Sequence, residues 1–301
     1  MLCEWTRLVG HRGQVHALAF SDDGLSLVSG GRDDVIHVWN PESGELLMTL
    51  DSGSSGLGAL AYARDGSVVA AHWRKLQEVW IYEGPSGALI AQIPVEHAAS
   101  MDLSPTGKRL LIGSGEGLTI WDLEDFRIVA QAQGSAERTW EACYDRAGQR
   151  VIAAGPIPRT YDAQSLVAGG PLYTHALHAF DVAHCLDLSD DEQQLVLGWG
   201  HSEGRDEGSL RVCTWPDREP IQVMRGHKPA VGSVCFSPDG RHLVSVGLRD
   251  SQVKVWQVAS GRVVEEHALP GVTLARFSPT GVFLATAAAP PSSLVLWEWT
   301  P

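Results

Sequence analysis

The sequence predicts an all-β protein made of seven copies of one four-stranded antiparallel unit. Three observations predict it. A tight-turn signal recurs seven times at near-constant spacing. Each turn sits among short apolar strands, the third of which ends in a large aromatic. The last unit stops one strand short, while a surplus strand stands at the N-terminus. A repeat at a fixed period has to be recognised before any other reading of a chain.

The turn is the ruler. It reads SDDG at Ser21 to Gly24, ARDG at Ala63 to Gly66, SPTG at Ser104 to Gly107 and DRAG at Asp145 to Gly148. It continues as a degraded SDDE at Ser189 to Glu192, SPDG at Ser237 to Gly240 and SPTG at Ser278 to Gly281. Successive turns end 42, 41, 41, 44, 48 and 41 residues apart. Pro pre-sets φ, Asp bonds back to the backbone, and Gly accepts positive φ, so these residues suit a tight turn.

The strands follow in order. Before each turn stands an aromatic or Leu: Phe20, Tyr62, Leu103, Tyr144, Leu188, Phe236 and Phe277. Period-two alternation precedes most of them, as in a strand with two different faces. After each turn comes an apolar second strand, such as SLVSG, RLLIG or QLVLG. Third strands end at Trp39, Tyr82, Trp121, Tyr161, Trp215, Trp256 and Trp297, and fourth strands read ELLMTL, ALIAQI, FRIVAQA and RVVEEHAL. Only four residues follow Trp297, too few for a fourth strand, whereas Glu4 to Val9 is a strand with no unit of its own. Pairing of that segment with the last unit closes the array and leaves no open sheet edge.

Two units are detailed enough to carry a resemblance. Gly10 to Asn40 reads GHRGQVHALAFSDDGLSLVSGGRDDVIHVWN, and Gly226 to Gln257 reads GHKPAVGSVCFSPDGRHLVSVGLRDSQVKVWQ. Both resemble WD40 repeats, the blade unit of a β-propeller. The resemblance implies a single seven-bladed WD40-type propeller over residues 1–301, with four antiparallel strands per blade. Its blades fall at about 10–50, 51–93, 94–132, 133–176, 177–225, 226–269 and 270–301 plus 4–9. His11, Ser29 and Asp33, and again His227, Ser245 and Asp250, look at first like catalytic parts, but a catalytic triad also needs a pocket and an oxyanion hole. With Trp39 and Trp256 they are similar to the structural tetrad of such blades. There His links Asp to Ser, and Ser reaches the indole. The other five units lack the full set. The longest irregular stretches are Asp162 to Asp181 and Gly198 to Gly208.

Charge and composition exclude some functions. The net charge of −13 argues against a duplex nucleic-acid partner, whose affinity depends on neutralising phosphates. No window has about 18 uninterrupted apolar residues, and no basic segment followed by an apolar one opens the chain, so neither a membrane partner nor a secretory signal is expected. The five cysteines are odd in number and lack C-x-x-C spacing, which fits reduced, buried thiols and a cytoplasmic location. There is no P-loop, zinc spacing or Gly-x-Ser-x-Gly elbow. No cofactor is expected, and the protein is expected to be monomeric by itself.

The candidate binding residues come from aromatics off the repeat pattern. Trp140 opens a first strand. Trp73 ends a second strand and is followed by Arg74 and Lys75, and Trp199 ends another. Aligned on the residue before each turn, Trp140 stands level with His16, Ala99, His184, Gly232 and Thr273. In WD40 proteins this position lies near the rim of the central channel, on the face that usually binds partners. Two residues earlier stand Gln14, His97, Arg138 and Val182. Loops between second and third strands carry Arg32, Arg74, Arg159, His201, Arg205 and Arg249 toward the same face. Trp and Arg are favoured at binding hot spots. The expected partner-binding set is Trp140, Trp73, Arg74, Arg138, His16, His97, His184 and Arg249. A metal held by His16, His97 and His184 is not expected, because they come from units one, three and five, across a wide opening.

These residues lead to a non-catalytic scaffold that docks a protein or peptide on the face around the channel. Trp140 and Trp73 would be its apolar anchors, and Arg74, Arg138 and Arg249 would meet carboxylates or phosphate. Two alternatives stand beside it. A propeller hydrolase or lyase requires His, Asp or Glu converging on one pocket with perturbed pKa values, and few rim carboxylates match the histidines. An architectural subunit requires apolar residues exposed on fourth strands, for which Arg127 to Ala132 is a candidate.

Overall fold

The computed structural model describes residues 1–51, 56–132, 138–172, 181–201, 208–228, 230–289 and 294–301. Its 28 strands form seven four-stranded antiparallel sheets. The innermost strand of each sheet lines a central channel. These are β2 (Val15–Phe20), β6 (Leu57–Tyr62), β10 (Ser100–Leu103), β14 (Glu141–Tyr144), β18 (Asp181–Leu188), β22 (Val231–Phe236) and β26 (Leu274–Phe277). Sheets one to six each take four consecutive strands. The seventh has the order β1, β28, β27, β26, with β1 (Leu2–Arg7) outermost beside β28 (Leu294–Trp299) and β27 (Phe283–Ala287). The first strand of the chain thus completes the last blade.

That closing strand lies two residues earlier than the sequence suggests, at Leu2–Arg7 rather than 4–9. Leu2 stands opposite Trp299 and Arg7 opposite Val295, with a bulge between Glu4 and Thr6. The reason is burial: Leu2 is taken into the cluster that holds Trp297 and Trp299. The stretches read as irregular also contain strands. β17 (Ala168–Pro171) lies inside the first. Across the second, β19 (Gln194–His201) and β20 (Gly208–Thr214) extend inward from both ends. The glycines explain this. A side chain on Gly198 or Gly200 would collide with Val231 or Ala230 of the next blade, so the small residues let two sheets approach.

The core is divided among the blade boundaries. Seven clusters of buried apolar side chains each join two neighbouring sheets. Leu27 and Trp39 of blade one, for example, pack with Leu274, Ala285 and Leu296 of blade seven. No sheet buries its apolar faces alone, so each unit depends on its neighbours.

The turns work as their composition demands. Ser21 Oγ donates to Asp23 Oδ1 at 2.6 Å, and Leu25 N donates to the same oxygen at 2.9 Å. Gly24 adopts φ 71°, and the equivalent glycines 66, 107, 148, 240 and 281 fall between 64° and 72°. In the degraded fifth turn Glu192 takes φ 53° in their place, a conformation that disfavours a Cβ.

Candidate functional site

The channel mouth is ringed by the residue four before each turn-preceding aromatic or Leu: His16, Gly58, Ala99, Trp140, His184, Gly232 and Thr273. In four blades it sits in a β-bulge, between Val15/Ala17, Leu57/Ala59, Ala183/Cys185 and Val231/Ser233. A bulge bends the strand and re-aims the extra side chain, here at the rim. Trp140 and His184 stack nearly parallel, with centroids 4.8 Å apart and planes 7° apart. Burial, with Arg74 and Arg32 nearby, holds His16 down at about 4, so its imidazole is neutral at physiological pH. Burial likewise lowers His184.

Below this mouth lies a cavity of about 420 Å³. Its wall is unequal. Blades one and two contribute Ala17, Ala19, Ala59 and Ala61, whereas later blades contribute Ser100, Asp102, Glu141, Asp187, Ser233 and Arg276. The inner strand of each blade is a sheet edge with unpaired backbone groups, and polar side chains of the preceding blade serve them. Tyr144 N donates to Asp102 Oδ2 at 2.7 Å, Leu186 N to Glu141 Oε2 at 2.9 Å, and Phe236 N to Asp187 Oδ2 at 2.7 Å. Thr273 Oγ1 donates to Val15 O at 2.7 Å, across the seam where the ring closes. Arg276 of blade seven reaches across the channel to blade four, where Nη2 lies 3.1 Å from Glu141 Oε1. Its Nη1 donates to Ser233 Oγ at 2.8 Å.

Among the described residues the cavity wall thus holds three carboxylates and one guanidinium. Burial pushes Asp102 up to about 6 and Asp187 up to about 7, against their backbone donors, which favour the charged form. Glu141 is also raised by burial, with Arg276 opposing. A second cavity of about 260 Å³ adjoins Asp102, Cys143 and Asp187 and is lined by Arg64, Arg146 and Asp190. All five cysteines are free thiols. Among the described residues no group of three or more His, Cys, Asp or Glu is placed to hold a metal ion. Nor is any helix among them long and apolar enough to cross a membrane.

The sequence-derived residues fall in several places. Trp140, His16 and His184 line the mouth. Arg32, Arg74, Arg138 and Arg249 are exposed on the same end of the ring, and so is His97, which does not line the cavity. Gln14 is half-buried, and its carbonyl accepts from Arg32 N. Arg159 lies half-buried at the start of a third strand. Arg205 lies outside the described residues, as does the side chain of His201.

Trp73 is a correction. It is fully buried between blades one and two with Leu57, Val28 and Ile36, edge-on to Trp80 at 6.3 Å, so it offers no surface to a partner. Val182 and Trp199 are also buried, the latter under the Arg211 guanidinium at 4.8 Å. Both tryptophans pack in the apolar cluster at a blade boundary rather than at the rim.

The two tetrads are networks of buried polar groups. His11 Nδ1 lies 2.9 Å from Asp33 Oδ2 and Nε2 lies 2.7 Å from Ser29 Oγ, while Trp39 Nε1 donates to Ser29 Oγ at 2.8 Å. His227, Asp250, Ser245 and Trp256 repeat the arrangement at 2.8, 2.7 and 2.7 Å. Burial opposes the Asp33 charge, but the bonds from His11 and the backbone of Arg12 and Gly13 outweigh it and hold the carboxyl at about 2. Blade seven carries a reduced form, with Trp297 Nε1 donating to Thr286 Oγ1 at 2.9 Å.

The channel carboxylates and Arg276 were missed by sequence reasoning, although the same alignment holds a signal. One residue before the turn-preceding position stand Ala19, Ala61, Asp102, Cys143, Asp187, Cys235 and Arg276. Three charged residues at one register position of an otherwise apolar strand mark a shared polar interior.

A closed ring of seven four-stranded blades around a channel is a seven-bladed β-propeller. Residues 2–40 and 218–257 match the family described as WD domain, G-beta repeat, so these two stretches are WD40 repeats. The chain is similar to WD repeat-containing protein SL1-17 of Schistosoma mansoni, at 26% identity over 204 residues, which is 66% of this chain and 61% of that protein. It is 25% identical over 255 residues to the serine-threonine kinase receptor-associated protein of Dictyostelium discoideum, covering 82% of this chain and 81% of that one. WD repeat-containing protein 36 of Homo sapiens matches at 32% identity over 94 residues, 31% of this chain and only 10% of its own length. The chain thus spans less than two thirds of two of these three relatives. In fold it superposes on the structure of U3-55K with a TM-score of 0.81 at 16% identity, covering 98% of both chains.

Proposed function

We propose that this propeller is a non-catalytic scaffold that docks a protein or peptide segment on the face around the channel mouth. The observation that carries this reading is the stacked Trp140–His184 pair at the rim, with exposed Arg74, Arg138 and Arg249 on the same end. A flat aromatic surface among guanidinium groups suits a segment with an aromatic or apolar residue and flanking carboxylates or phosphate. Relatives named as a cofactor of the APC complex and as a U3 small nucleolar RNA-associated protein are consistent with a component of assemblies.

The converging carboxylates of raised pKa give the enzyme alternative one supporting observation. Their hydrogen bonds weigh against it. Both oxygens of Asp102 accept backbone N–H groups, and both of Glu141 are engaged by Leu186 N and Arg276. Carboxylates fixed as acceptors between blades have a structural task and are poorly placed to move protons. The architectural alternative has its own support in exposed Leu47, Ile90, Ile128 and Val264 on outer strands.

The test is affinity capture with wild type, a Trp140→Ala/Arg138→Ala double mutant and an Ile128→Lys variant, each first shown to be folded by thermal melting. Docking at the mouth predicts a partner lost by the double mutant and kept by Ile128→Lys. The reverse pattern overturns this reading in favour of the blade sides.

A further inference from the structure

We propose that the cavity beneath Trp140 is a binding site for an alkylammonium or guanidinium group, supplied by a partner's Lys or Arg side chain or by a free polyamine. The argument rests on what the wall offers. Asp102, Glu141 and Asp187 supply three carboxylates against the single cation Arg276, which is already engaged by Glu141, Ser233 Oγ and two backbone carbonyls. The mouth adds the π faces of Trp140 and His184, which attract cations. At about 420 Å³ the cavity falls within the roughly 300–1,000 Å³ usual for small-molecule sites.

A second observation comes from the unpartnered polar atoms around the cavity. His72 is 2% exposed, and its Nε2 lies 3.1 Å from the Val95 carbonyl, which requires a proton there and leaves Nδ1 as a bare acceptor. That Nδ1 has no partner, and it abuts Gly58, a wall residue of the cavity, so closely that any Cβ on Gly58 would strike it. His16 Nε2 and Ser100 Oγ, both on residues lining the cavity, are likewise buried without partners. Buried polar groups are ordinarily satisfied, and each exception asks for an explanation. Here the wall is rich in acceptors, and the guanidinium that would answer them is consumed. A ligand that brings several N–H donors and a positive charge complements both features. The raised pKa values of Asp102 and Asp187 agree, since burial outweighs the opposing charges of Arg64 and Arg276 and leaves both carboxyls short of stabilisation.

The test is titration calorimetry of the full chain with N-acetyl-arginine methylamide, spermidine and, as the neutral isostere, N-acetyl-citrulline methylamide. The proposal predicts that the arginine compound or spermidine binds, and that citrulline binds at least about ten-fold more weakly. Which of the two cations binds more tightly assigns the source. Asp187→Asn and Asp102→Asn keep an oxygen for Phe236 N and Tyr144 N, so they preserve the blade clasps. Each is expected to weaken the cation by about ten-fold or more while melting as a folded protein. No heat with either cation up to about 10 mM overturns the proposal. So does equal binding of citrulline, or unchanged affinity in the double Asp102→Asn/Asp187→Asn variant. Because the readout uses no protein partner, its failure leaves docking at the rim to be judged by capture alone.

Discussion

Asp187→Asn is expected to stabilise the protein, by an amount that grows from about pH 4 and is complete near neutrality. Burial raises the carboxyl from an ordinary 3.8 to about 7. The folded state therefore holds this proton more tightly than the unfolded state does. Below about pH 4 both states are protonated and the group costs nothing. Between about pH 4 and 7 the unfolded state ionises while the folded state keeps its proton, so stability falls across that window; above about 7 the folded state carries a poorly solvated charge and the loss is complete. At about 1.4 kcal/mol per unit, the displacement of about three units sets an upper bound of about 4 kcal/mol. The side chain lines a channel and keeps some contact with solvent, so about 1–2 kcal/mol is the expected gain. Asn retains an oxygen for Phe236 N, whereas Ala orphans that donor and is expected to be about 1–3 kcal/mol less stable than Asn at any pH. Urea unfolding of wild type, Asp187→Asn and Asp187→Ala at pH 4, 6 and 8 makes the comparison. A gain for Asn at pH 8 that vanishes at pH 4 supports the reasoning. A loss at pH 8, or a gain of the same size at pH 4, refutes it.

Three further outcomes follow from the geometry. Ser29→Ala removes the oxygen shared by His11 and Trp39 and is expected to lower unfolding stability by about 2–3 kcal/mol, measured by denaturant midpoint. Glu192→Gly relieves a left-handed residue, a gain of about 1–2 kcal/mol offset by about 0.4–1 kcal/mol of glycine entropy. Since it also removes the acceptor for Arg146 N, a net gain of about 0.5–1 kcal/mol is the most to expect, read from the same titration. Deleting residues 1–7 exposes the edge of β28, and light scattering should then show self-association that wild type lacks.

Much of the fold was legible because its determinants are local. Turn residues with fixed φ demands, alternating strands and terminal aromatics are all read from single short stretches. The degraded turn at Glu192 still fell at its place, because spacing rather than residue identity carried it. The closing strand was placed two residues late, since the burial of Leu2 depends on Trp299 at the far end of the chain. The site was only partly legible. The bulged rim position was found by alignment, which brought His16, Trp140 and His184 to the mouth. Trp73 was misjudged because its exposure is decided by the neighbouring blade: Val28 and Ile36 cover it, and nothing near it in sequence says so. The ion pair between Glu141 and Arg276 joins residues 135 apart, and a reading by units has no term for a contact between blades four and seven.

The most direct test of the central claim is hydrogen exchange of the propeller with and without a partner recovered by capture. Docking on the mouth predicts slowed exchange at residues 138–141, at the bulge around His184 and in the loops carrying Arg74 and Arg249, with the outer strands unchanged. Slowed exchange confined to outer strands such as Arg127–Gln131, or to the turns at the opposite end of the ring, would contradict it.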